Sequence, residues 1–311
     1  MTDSASPLVG VVGPTASGKT ELALALADRV PVEILVADSR QVYRGMDIGT
    51  AKPDAAARRA APHHLLDLVA PDDPFTVAQW VAKARELIPE IAGRGRLPML
   101  VGGTGLYVRA LLDGHDYDRQ GWSPTLRAAM TRELEADGLE ALADRLARSA
   151  PMEASRIDLR NPRRVLRALE RTEADGGGGE PRADPYAGRT AIVAISRPRE
   201  ILYRRIDERA HRLFADGLLE EVRQLLDAGY GPELRPMTGH GYREAASYLA
   251  GESSLDQAIG STARRTRQYA KRQLTWFRAD RRVLWLPAGD EPGDDPQLVE
   301  RAAGVIRAAL S

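Results

Sequence analysis

Residues 8–20 read LVGVVGPTASGKT, an apolar run that leads into a glycine-rich turn. It fits the phosphate-loop pattern G-x-x-x-x-G-K-[ST] at every defined position: Gly13, Gly18, Lys19 and Thr20. Glycines let the backbone turn tightly, so that several N–H groups and the start of the next helix point at one anion. Lys19 adds a positive charge and Thr20 offers a hydroxyl to Mg²⁺. The stretch predicts a phosphate-binding loop. ATP is the first candidate ligand, but the pattern does not identify the compound.

Apolar runs alternate with helix-prone segments on both sides of this loop. Strand-like runs are PLVGVV at 7–12, VEILVAD at 32–38, LPMLVGG at 97–103, TAIVAIS at 190–196 and VLWLP at 283–287. Helical patterns cover about 19–30, 76–93, 105–114, 199–229, 242–250 and 255–279, and a last helix follows the final strand. Apolar strands that alternate with helices are typical of a parallel sheet covered on both faces. We therefore predict an α/β fold, a phosphate-loop NTPase-like parallel sheet flanked by helices.

One segment interrupts this alternation. Residues from about 122 to 173 are rich in Ala, Arg and Glu, contain no convincing strand, and lead into four glycines at 176–179. A glycine run is a flexible break in the chain. We predict that 1–114 and 184–311 form the phosphate-loop core with a helical C-terminal part. Residues 115–183 are then a small all-helical insertion domain.

Composition excludes several classes of protein. The 311 residues contain no cysteine and five histidines, which excludes disulfides and thiolate metal sites and disfavours a histidine zinc site. No apolar run approaches the roughly 20 residues of a membrane span, and the N-terminal MTDSASP lacks the features of a signal peptide. We expect a cytoplasmic protein without a membrane segment. The formal net charge of +0 hides a basic segment at 262–282, where eight Lys and Arg residues accompany one acid, Asp280.

Asp38 is the acidic residue that the strand pattern singles out. Phosphate-loop ATPases usually carry an acid at the end of a further strand, where it helps to hold Mg²⁺. Here the run at 97–103 continues into Thr104 without an acid, whereas the run at 32–38 ends in Asp38. In a parallel sheet both the loop and Asp38 lie at the carboxyl ends of strands, where ligands bind. Asp38 could be a general base, a Mg²⁺ partner or a strand-end cap, and spacing alone leaves all three open.

Several stretches together resemble one family. They are GPTASGKT, ADSRQVYRGMDIGTAKP, HHLLD, LVGGTGLY, HGYRE and RQYAKRQLTWFR, in this order from residue 8 to about 286. The chain resembles the bacterial tRNA dimethylallyltransferases, and ADSRQVYRGMDIGTAKP is the most specific of the matches. The resemblance implies transfer of a dimethylallyl group from dimethylallyl diphosphate to the exocyclic amine of an adenosine beside the anticodon of tRNA. The loop would then hold a leaving diphosphate rather than ATP.

The resemblance also implies roles for single residues. Asp38 matches the family's acid that deprotonates the acceptor amine, Thr15 would contact the bridging oxygen, and Lys19 would stabilise the leaving diphosphate. Arg209 matches a diphosphate-binding arginine, although on sequence alone it could form a surface ion pair with a neighbour such as Glu208. The expected diphosphate-binding set is Gly13, Pro14, Thr15, Ala16, Ser17, Gly18, Lys19, Thr20 and Arg209. Mg²⁺ is the implied cofactor, with Thr20 as its protein ligand.

A basic helix is the expected RNA-binding element. In 262–278 the residues Ala263, Ala270, Leu274 and Phe277 form an apolar stripe, and basic and aromatic side chains flank it. Such a surface suits phosphates and unstacked bases, but a solvated basic helix with a core stripe has the same pattern. The expected tRNA-binding residues are Asp38, Ser39, Arg40, Gln41, Thr104, Arg127, Arg163, Arg164, Arg167, Tyr242, Arg243, Lys271 and Arg272.

One position departs from the family pattern, and three other functions compete with the main interpretation. His240 stands in GHGYRE where the family usually has Cys-Val before Gly-Tyr-Arg. His63 and His64 are interpreted as structural. The alternatives are a phosphate-loop small-molecule kinase, a prenyltransferase acting on free AMP or ADP, and a non-enzymatic RNA-binding protein. The basic helix and the insertion argue against an acceptor as small as AMP or ADP. The intact phosphate loop argues against a non-enzymatic RNA-binding protein. We expect a monomer.

Overall fold

The computed structural model describes residues 5–114, 124–174 and 183–310. The chain divides into two compact units, which are described separately. The first consists of Met1–Leu112 with Tyr186–Ser311, and the second is Asp113–Pro185. The glycine run at 176–179 lies outside the described residues.

A parallel sheet forms the centre of the first unit, as predicted. Its strands in the described residues are β1 (Leu8–Val12), β2 (Val32–Val36), β3 (His63–His64), β4 (Leu97–Gly102), β5 (Thr190–Ser196) and β6 (Val283–Pro287). The strand order is β3-β2-β4-β1-β5-β6, and every pairing is parallel. The two central strands β1 and β4 pair in the register Val9 with Met99, which places the phosphate loop and residue 103 side by side.

Helices cover the sheet of the first unit, and three further helices form the second unit. In chain order they are α1 (Lys19–Ala27), α2 (Ala55–Ala60), α3 (Val77–Gly93), α4 (Gly105–Asp113), α5 (Pro124–Ser149), α6 (Pro151–Arg156), α7 (Pro162–Ala174), α8 (Arg199–Ala215), α9 (Leu218–Asp227), α10 (Tyr242–Leu249), α11 (Leu255–Arg278) and α12 (Pro296–Leu310). Among the described residues no helix is both long and apolar enough to cross a bilayer.

The sheet is covered on both faces because its strands are apolar on both sides. Ile34 and Met99 pair in register and belong to one core cluster, with Leu22 and Leu298 from the covering helices. The next pair along the strands, Leu35 and Leu100, belongs to the opposite cluster, which includes Trp80 and Phe277. Successive side chains of a strand point to opposite faces, so one apolar run supplies both cores. This confirms the predicted fold class.

Helices α5, α6 and α7 of the second unit pack around their own small core. Met130, Leu142 and Leu146 of α5 contact Val165 and Leu169 of α7, and all five side chains are buried. Gly138 interrupts the helical backbone within α5 at φ 81° and ψ 172°. A glycine tolerates this conformation, so the chain can turn there without strain from a side chain.

Candidate active site

The phosphate loop connects β1 to α1 through two glycines with positive φ. Gly13 has φ 130° and Gly18 has φ 95°, a region that favours glycine. Gly18 is also the N-cap of α1, and no side chain in the described residues caps this helix. The first N–H groups of a helix have no partner within the helix. The start of α1 therefore offers N–H donors and a positive dipole end to an anion.

Two arginines donate hydrogen bonds to carbonyl oxygens of the phosphate loop. The Nε of Arg197 donates to the carbonyl oxygen of Ser17 at 2.8 Å, and the Nε of Arg205 donates to that of Ala16 at 3.2 Å. The C=O and N–H of a trans peptide point in opposite directions. Because the Ser17 carbonyl faces Arg197, the N–H of Gly18 points away from that guanidinium. Sequence reasoning missed Arg197, which follows β5 directly and has no motif of its own.

Residues predicted to act together line one cavity of about 410 Å³. Thr15, Lys19 and Thr20 come from the loop and α1, Asp38 follows β2, and Arg209 comes from α8. Further lining residues are Ser39, Arg40, Gln41, His240, Tyr242, Tyr269 and Arg272. The carboxyl edge of the sheet thus brings a phosphate loop, two cations and a carboxylate to the same space.

Charges in the cavity perturb one another. Burial lowers the pKa of Lys19 to about 8, with a further contribution from Arg209, while Asp38 opposes the shift. Burial also lowers the pKa of Arg209, and Asp38 again favours the charged form. Two cations that face each other in a desolvated space are costly. An anion of two or more charges would relieve this cost, so the electrostatics favour a ligand such as a diphosphate.

Asp38 is held at the strand end by its own backbone neighbours. Its Oδ1 accepts the N–H of Arg40 at 2.8 Å. The hydroxyl of Thr104 accepts the N–H of Ser39 at 3.0 Å, and the N–H of Thr104 donates to the Ala37 carbonyl at 3.0 Å. Asp38 is therefore a strand-end cap in part, and it also lines the ligand cavity, so the cap and functional interpretations are compatible. Ser39 and Thr104, both predicted to bind RNA, fix the two strand ends to each other.

Glu221 organises the segment that forms another wall of the cavity. Its carboxylate accepts the N–H groups of Asp47, Ile48 and Gly49 at 2.8, 2.6 and 3.1 Å. It also accepts the hydroxyl of Tyr242 at 2.5 Å. Sequence reasoning missed Glu221, although positions 218, 221, 222 and 225 form the buried face of α9 and an acid within such a face is a signal.

Tyr242 does not have the surroundings expected of an RNA contact. Its side chain is 2% exposed, and a Cβ placed on Gly49 would lie 2.3 Å from its ring. The ring therefore packs against the backbone of the wall segment, and its hydroxyl is occupied by Glu221. We infer that Tyr242 supports the cavity wall and is not one of the RNA contacts. Its neighbour Arg243 is exposed.

Helix α11 has the predicted apolar stripe and a basic outer face. Ala263, Ala270 and Phe277 are buried, and the partly buried Leu274 packs against the cluster of Ala270 with Leu202 and Ile206 of α8. Lys271 and Arg272 are exposed. Two other cations of the helix are engaged within the protein: Arg265 pairs with Glu244 at 2.8 Å, and Arg267 pairs with Asp207.

The outer face of α11 continues into the cavity through a group of aromatic side chains. The guanidinium of Arg272 lies 5.6 Å from the ring centroid of Tyr269, whose centroid is 5.3 Å from that of His240. Burial raises the pKa of Tyr269 to about 12, and burial with the charge of Arg265 lowers the pKa of His240 to about 4. His240 is therefore neutral at pH 7 and adds no cation to the cavity rim.

Four arginines predicted to bind tRNA lie in the second unit, and two of them contact a buried carboxylate. Arg127 donates two hydrogen bonds to Glu170, one of them at 2.7 Å, and Arg167 lies 3.5 Å from the same buried carboxylate. Arg163 and Arg164 are exposed on α7. The structure thus brings Arg127 and Arg167 together around Glu170 and leaves Arg163 and Arg164 facing solvent.

A divalent cation would need ligands beyond the protein. Among the described residues no three His, Cys, Asp or Glu side chains form a group that could hold a metal ion. Mg²⁺ commonly binds through one or two protein oxygens, several waters and substrate phosphates. The exposed hydroxyl of Thr20 at the start of α1 fits such a site.

The strand, the glycine loop and the helix, with the cavity at the carboxyl edge of a parallel sheet, define a phosphate-loop α/β protein. The sequence model of the IPP transferase family matches residues 41–280, a range that begins beyond the loop itself. The tRNA dimethylallyltransferase of Heliobacterium modesticaldum is 44% identical over 306 residues, 96% of this chain and 95% of that protein. The tRNA dimethylallyltransferase of a Nocardioides species is 46% identical over 312 residues, 99% and 98% of the two chains. The chain belongs to the IPP transferase family.

A solved structure agrees with this assignment. The full-length tRNA isopentenylpyrophosphate transferase of Bacillus halodurans is 37% identical, superposes with a TM-score of 0.72, and is matched over 98% of each chain. The fold and the sequence therefore lead to the same family.

Proposed function

We propose that the protein transfers a dimethylallyl group from dimethylallyl diphosphate to the exocyclic amine of the adenosine adjacent to the anticodon in tRNA, releasing diphosphate. One observation carries the proposal: Asp38 lines the same cavity as the phosphate loop, Lys19 and Arg209. The loop and its cations suit a leaving diphosphate, and a carboxylate in the same cavity suits an acceptor that must lose a proton. The activity named for relatives about 45% identical over nearly the whole chain supports the same conclusion.

The chemistry assigns each group a task. The amine nitrogen attacks the allylic carbon, the carbon–oxygen bond to the diphosphate breaks, and its electron pair leaves on the diphosphate oxygen. Asp38 accepts the proton of the amine, and a positioned base of this kind contributes about 10²–10⁴ in rate. Lys19, Arg209 and the loop N–H groups stabilise the charge that grows on the leaving group. Removing one such preorganised donor costs about 10²–10³ in other enzymes.

Mg²⁺ is the cofactor we propose, with Thr20 as its protein ligand. When bound, it would neutralise charge on the diphosphate oxygens. The protein residues hold the rest of the diphosphate: the loop backbone from Gly13 to Thr20, the hydroxyl of Thr15 and the guanidinium of Arg209.

The RNA is expected to lie on the exposed face of α11. Lys271 and Arg272 offer phosphate contacts. The partly buried ring of Tyr269 lines the cavity and offers a surface on which an unstacked base can stack. The target base must leave its stack to reach Asp38, which costs a few kcal/mol and is cheapest in a single-stranded loop. We propose a monomer as the active unit. Because the proposed substrate is tRNA, we propose that the reaction takes place in the cytoplasm.

One assay separates this proposal from its rivals. The protein is incubated with labelled dimethylallyl diphosphate, Mg²⁺ and either unmodified tRNA or AMP, and ATP turnover is followed in parallel. We expect label in tRNA, recovered on adenosine after nuclease digestion. Label in AMP alone, or ATP turnover without prenyl transfer, would overturn the proposal.

A further inference from the structure

Gln273 links the RNA-facing helix to the phosphate loop. It lies on α11 directly after Lys271 and Arg272, but its side chain is 6% exposed and turned toward the sheet. Its Oε1 accepts the N–H of Thr15 at 2.9 Å, and its Nε2 donates to the carbonyl of Gly103 at 2.8 Å. One amide therefore joins three segments that are far apart in sequence: the loop, the end of β4 and α11.

Both hydrogen bonds require an amide in this orientation. Oxygen must face the Thr15 N–H and nitrogen must face the Gly103 carbonyl, because a flipped amide would set donor against donor and acceptor against acceptor. A Cβ at Gly103 would lie 2.2 Å from Nε2, so the glycine leaves the space that Gln273 uses. Glutamate could keep only the acceptor half of this arrangement, and methionine neither half.

The two hydrogen bonds of Gln273, here called the Gln273 bridge, determine which groups of the loop face the ligand. An N–H within a phosphate loop ordinarily points at the anion. Here Gln273 takes the Thr15 N–H, while the Thr15 residue itself lines the cavity beside Lys19. The arginines at 197 and 205 hold the carbonyls of Ser17 and Ala16. Loop orientation is thus fixed by side chains on both sides.

We propose that Gln273 is a positioning residue for the diphosphate site: it fixes the Thr15 peptide so that the loop presents the Thr15 side chain, and not the Thr15 N–H, to the leaving group. The inference rests on the proposed function for its substrate, and it assigns Gln273 an effect that acts through the Thr15 peptide.

The test compares two glutamines, one buried in α11 and one exposed on α12. Gln273→Met removes both hydrogen bonds at similar side-chain volume, Gln273→Glu retains the acceptor, and Gln297→Met changes an exposed glutamine of α12 as the matched control. Four quantities are measured on the full chain. They are the Kd for inorganic pyrophosphate with Mg²⁺, kcat and KM for the prenyl donor, the Kd for tRNA, and the thermal midpoint.

We expect Gln273→Met to lower kcat about 10- to 100-fold, approaching the loss of a preorganised donor, and to weaken pyrophosphate binding several-fold. Gln273→Glu should recover part of both, and tRNA affinity should stay within about twofold, because the exposed face of α11 is unchanged. Equal behaviour of Gln273→Met and Gln297→Met would overturn the inference. So would equal loss of tRNA and pyrophosphate affinity, which would indicate general damage to the helix. If the wild type bound pyrophosphate but transferred no prenyl group, the proposed function would fail while the pyrophosphate comparison still tested Gln273.

Discussion

Glu221→Gln is the substitution whose effect the structure specifies most fully. Glu221 is 8% exposed and accepts four hydrogen bonds, three from the backbone of 47–49 and one from Tyr242. Glutamine has nearly the same shape but replaces one carboxylate oxygen with an NH₂ group. That group would face either the N–H groups of Asp47 and Ile48 or the N–H of Gly49 and the Tyr242 hydroxyl. Because the hydroxyl can turn and accept from the NH₂ group, one or two backbone donors lose their acceptor.

The magnitude follows from these unsatisfied groups. A buried donor left without a partner costs about 1–3 kcal/mol, so one or two of them cost on the order of 1–6 kcal/mol. For a unit of this size 1 kcal/mol lowers Tm by about 2–4 °C. We therefore expect Glu221→Gln to lower the thermal midpoint by about 10 °C.

The neighbouring acid provides the control. Glu220 is exposed and pairs with Arg223 on the surface of α9. An exposed ion pair contributes about 0–1 kcal/mol, so Glu220→Gln should shift the midpoint by a few degrees at most. Thermal unfolding followed by circular dichroism compares the two variants under one condition. If the midpoints fell by equal amounts, the hydrogen bonds of Glu221 would not be holding the cavity wall, and the reasoning would be refuted.

Three further predictions concern the cavity and the RNA face. Asp38→Asn can still accept the N–H of Arg40, so we expect an intact fold and unchanged tRNA affinity. Single-turnover prenyl transfer should fall by about 10²–10⁴, because the base is lost. Undiminished transfer would remove Asp38 from the mechanism. Because the pKa of Lys19 is lowered to about 8, raising the pH through 8 removes its positive charge and should weaken pyrophosphate binding. Lys19→Arg keeps its charge, so its pyrophosphate affinity should not fall as the pH rises through 8. If the affinity of both proteins fell at this pH, the titrating group would be one other than Lys19. Arg272→Ala should reduce the slope of log affinity for tRNA against log salt by about 0.7 per lost phosphate contact, with Arg307→Ala on α12 as the exposed control; identical slopes would place Arg272 off the RNA path.

Local patterns in the sequence predicted most of the fold. Every strand that is a continuous apolar run was found, because a strand buried on both faces cannot hide its composition. The strand β3 was missed, since His63 and His64 carry no apolar pattern and His64 instead contacts Glu33 at 2.7 Å. The segment at 199–229 was predicted as helical, and the structure divides it at Gly217, which has φ 107°.

The candidate site was predictable where topology alone determines position. The carboxyl-edge rule for parallel sheets placed Asp38 next to the loop without any knowledge of side-chain packing. The supporting residues were not predictable in the same way. Gln273 contacts Thr15 across 258 residues and Glu221 contacts Gly49 across 172, and no spacing rule identifies which buried polar groups will meet. They are visible only once the packing of α9 and α11 is known.

The end of β4 explains why this phosphate loop suits a different reaction from that of an ATPase. An ATPase strand would supply a Mg²⁺-binding acid there, but a Cβ at Gly102 would lie 2.1 Å from the Ala37 carbonyl, and one at Gly103 would meet Gln273. Neither position has room for an acidic side chain, and Thr104 is committed to the strand end that carries Asp38. The site's carboxylate, Asp38, follows β2, the next strand outward from β4. In that place it lines the cavity from which, in the proposed reaction, an acceptor amine would approach the carbon–oxygen bond of a prenyl diphosphate. The close packing at Gly103 that leaves no room for an acid also accommodates the side chain of Gln273, so the absence of the acid and the contact between α11 and the loop have one structural cause.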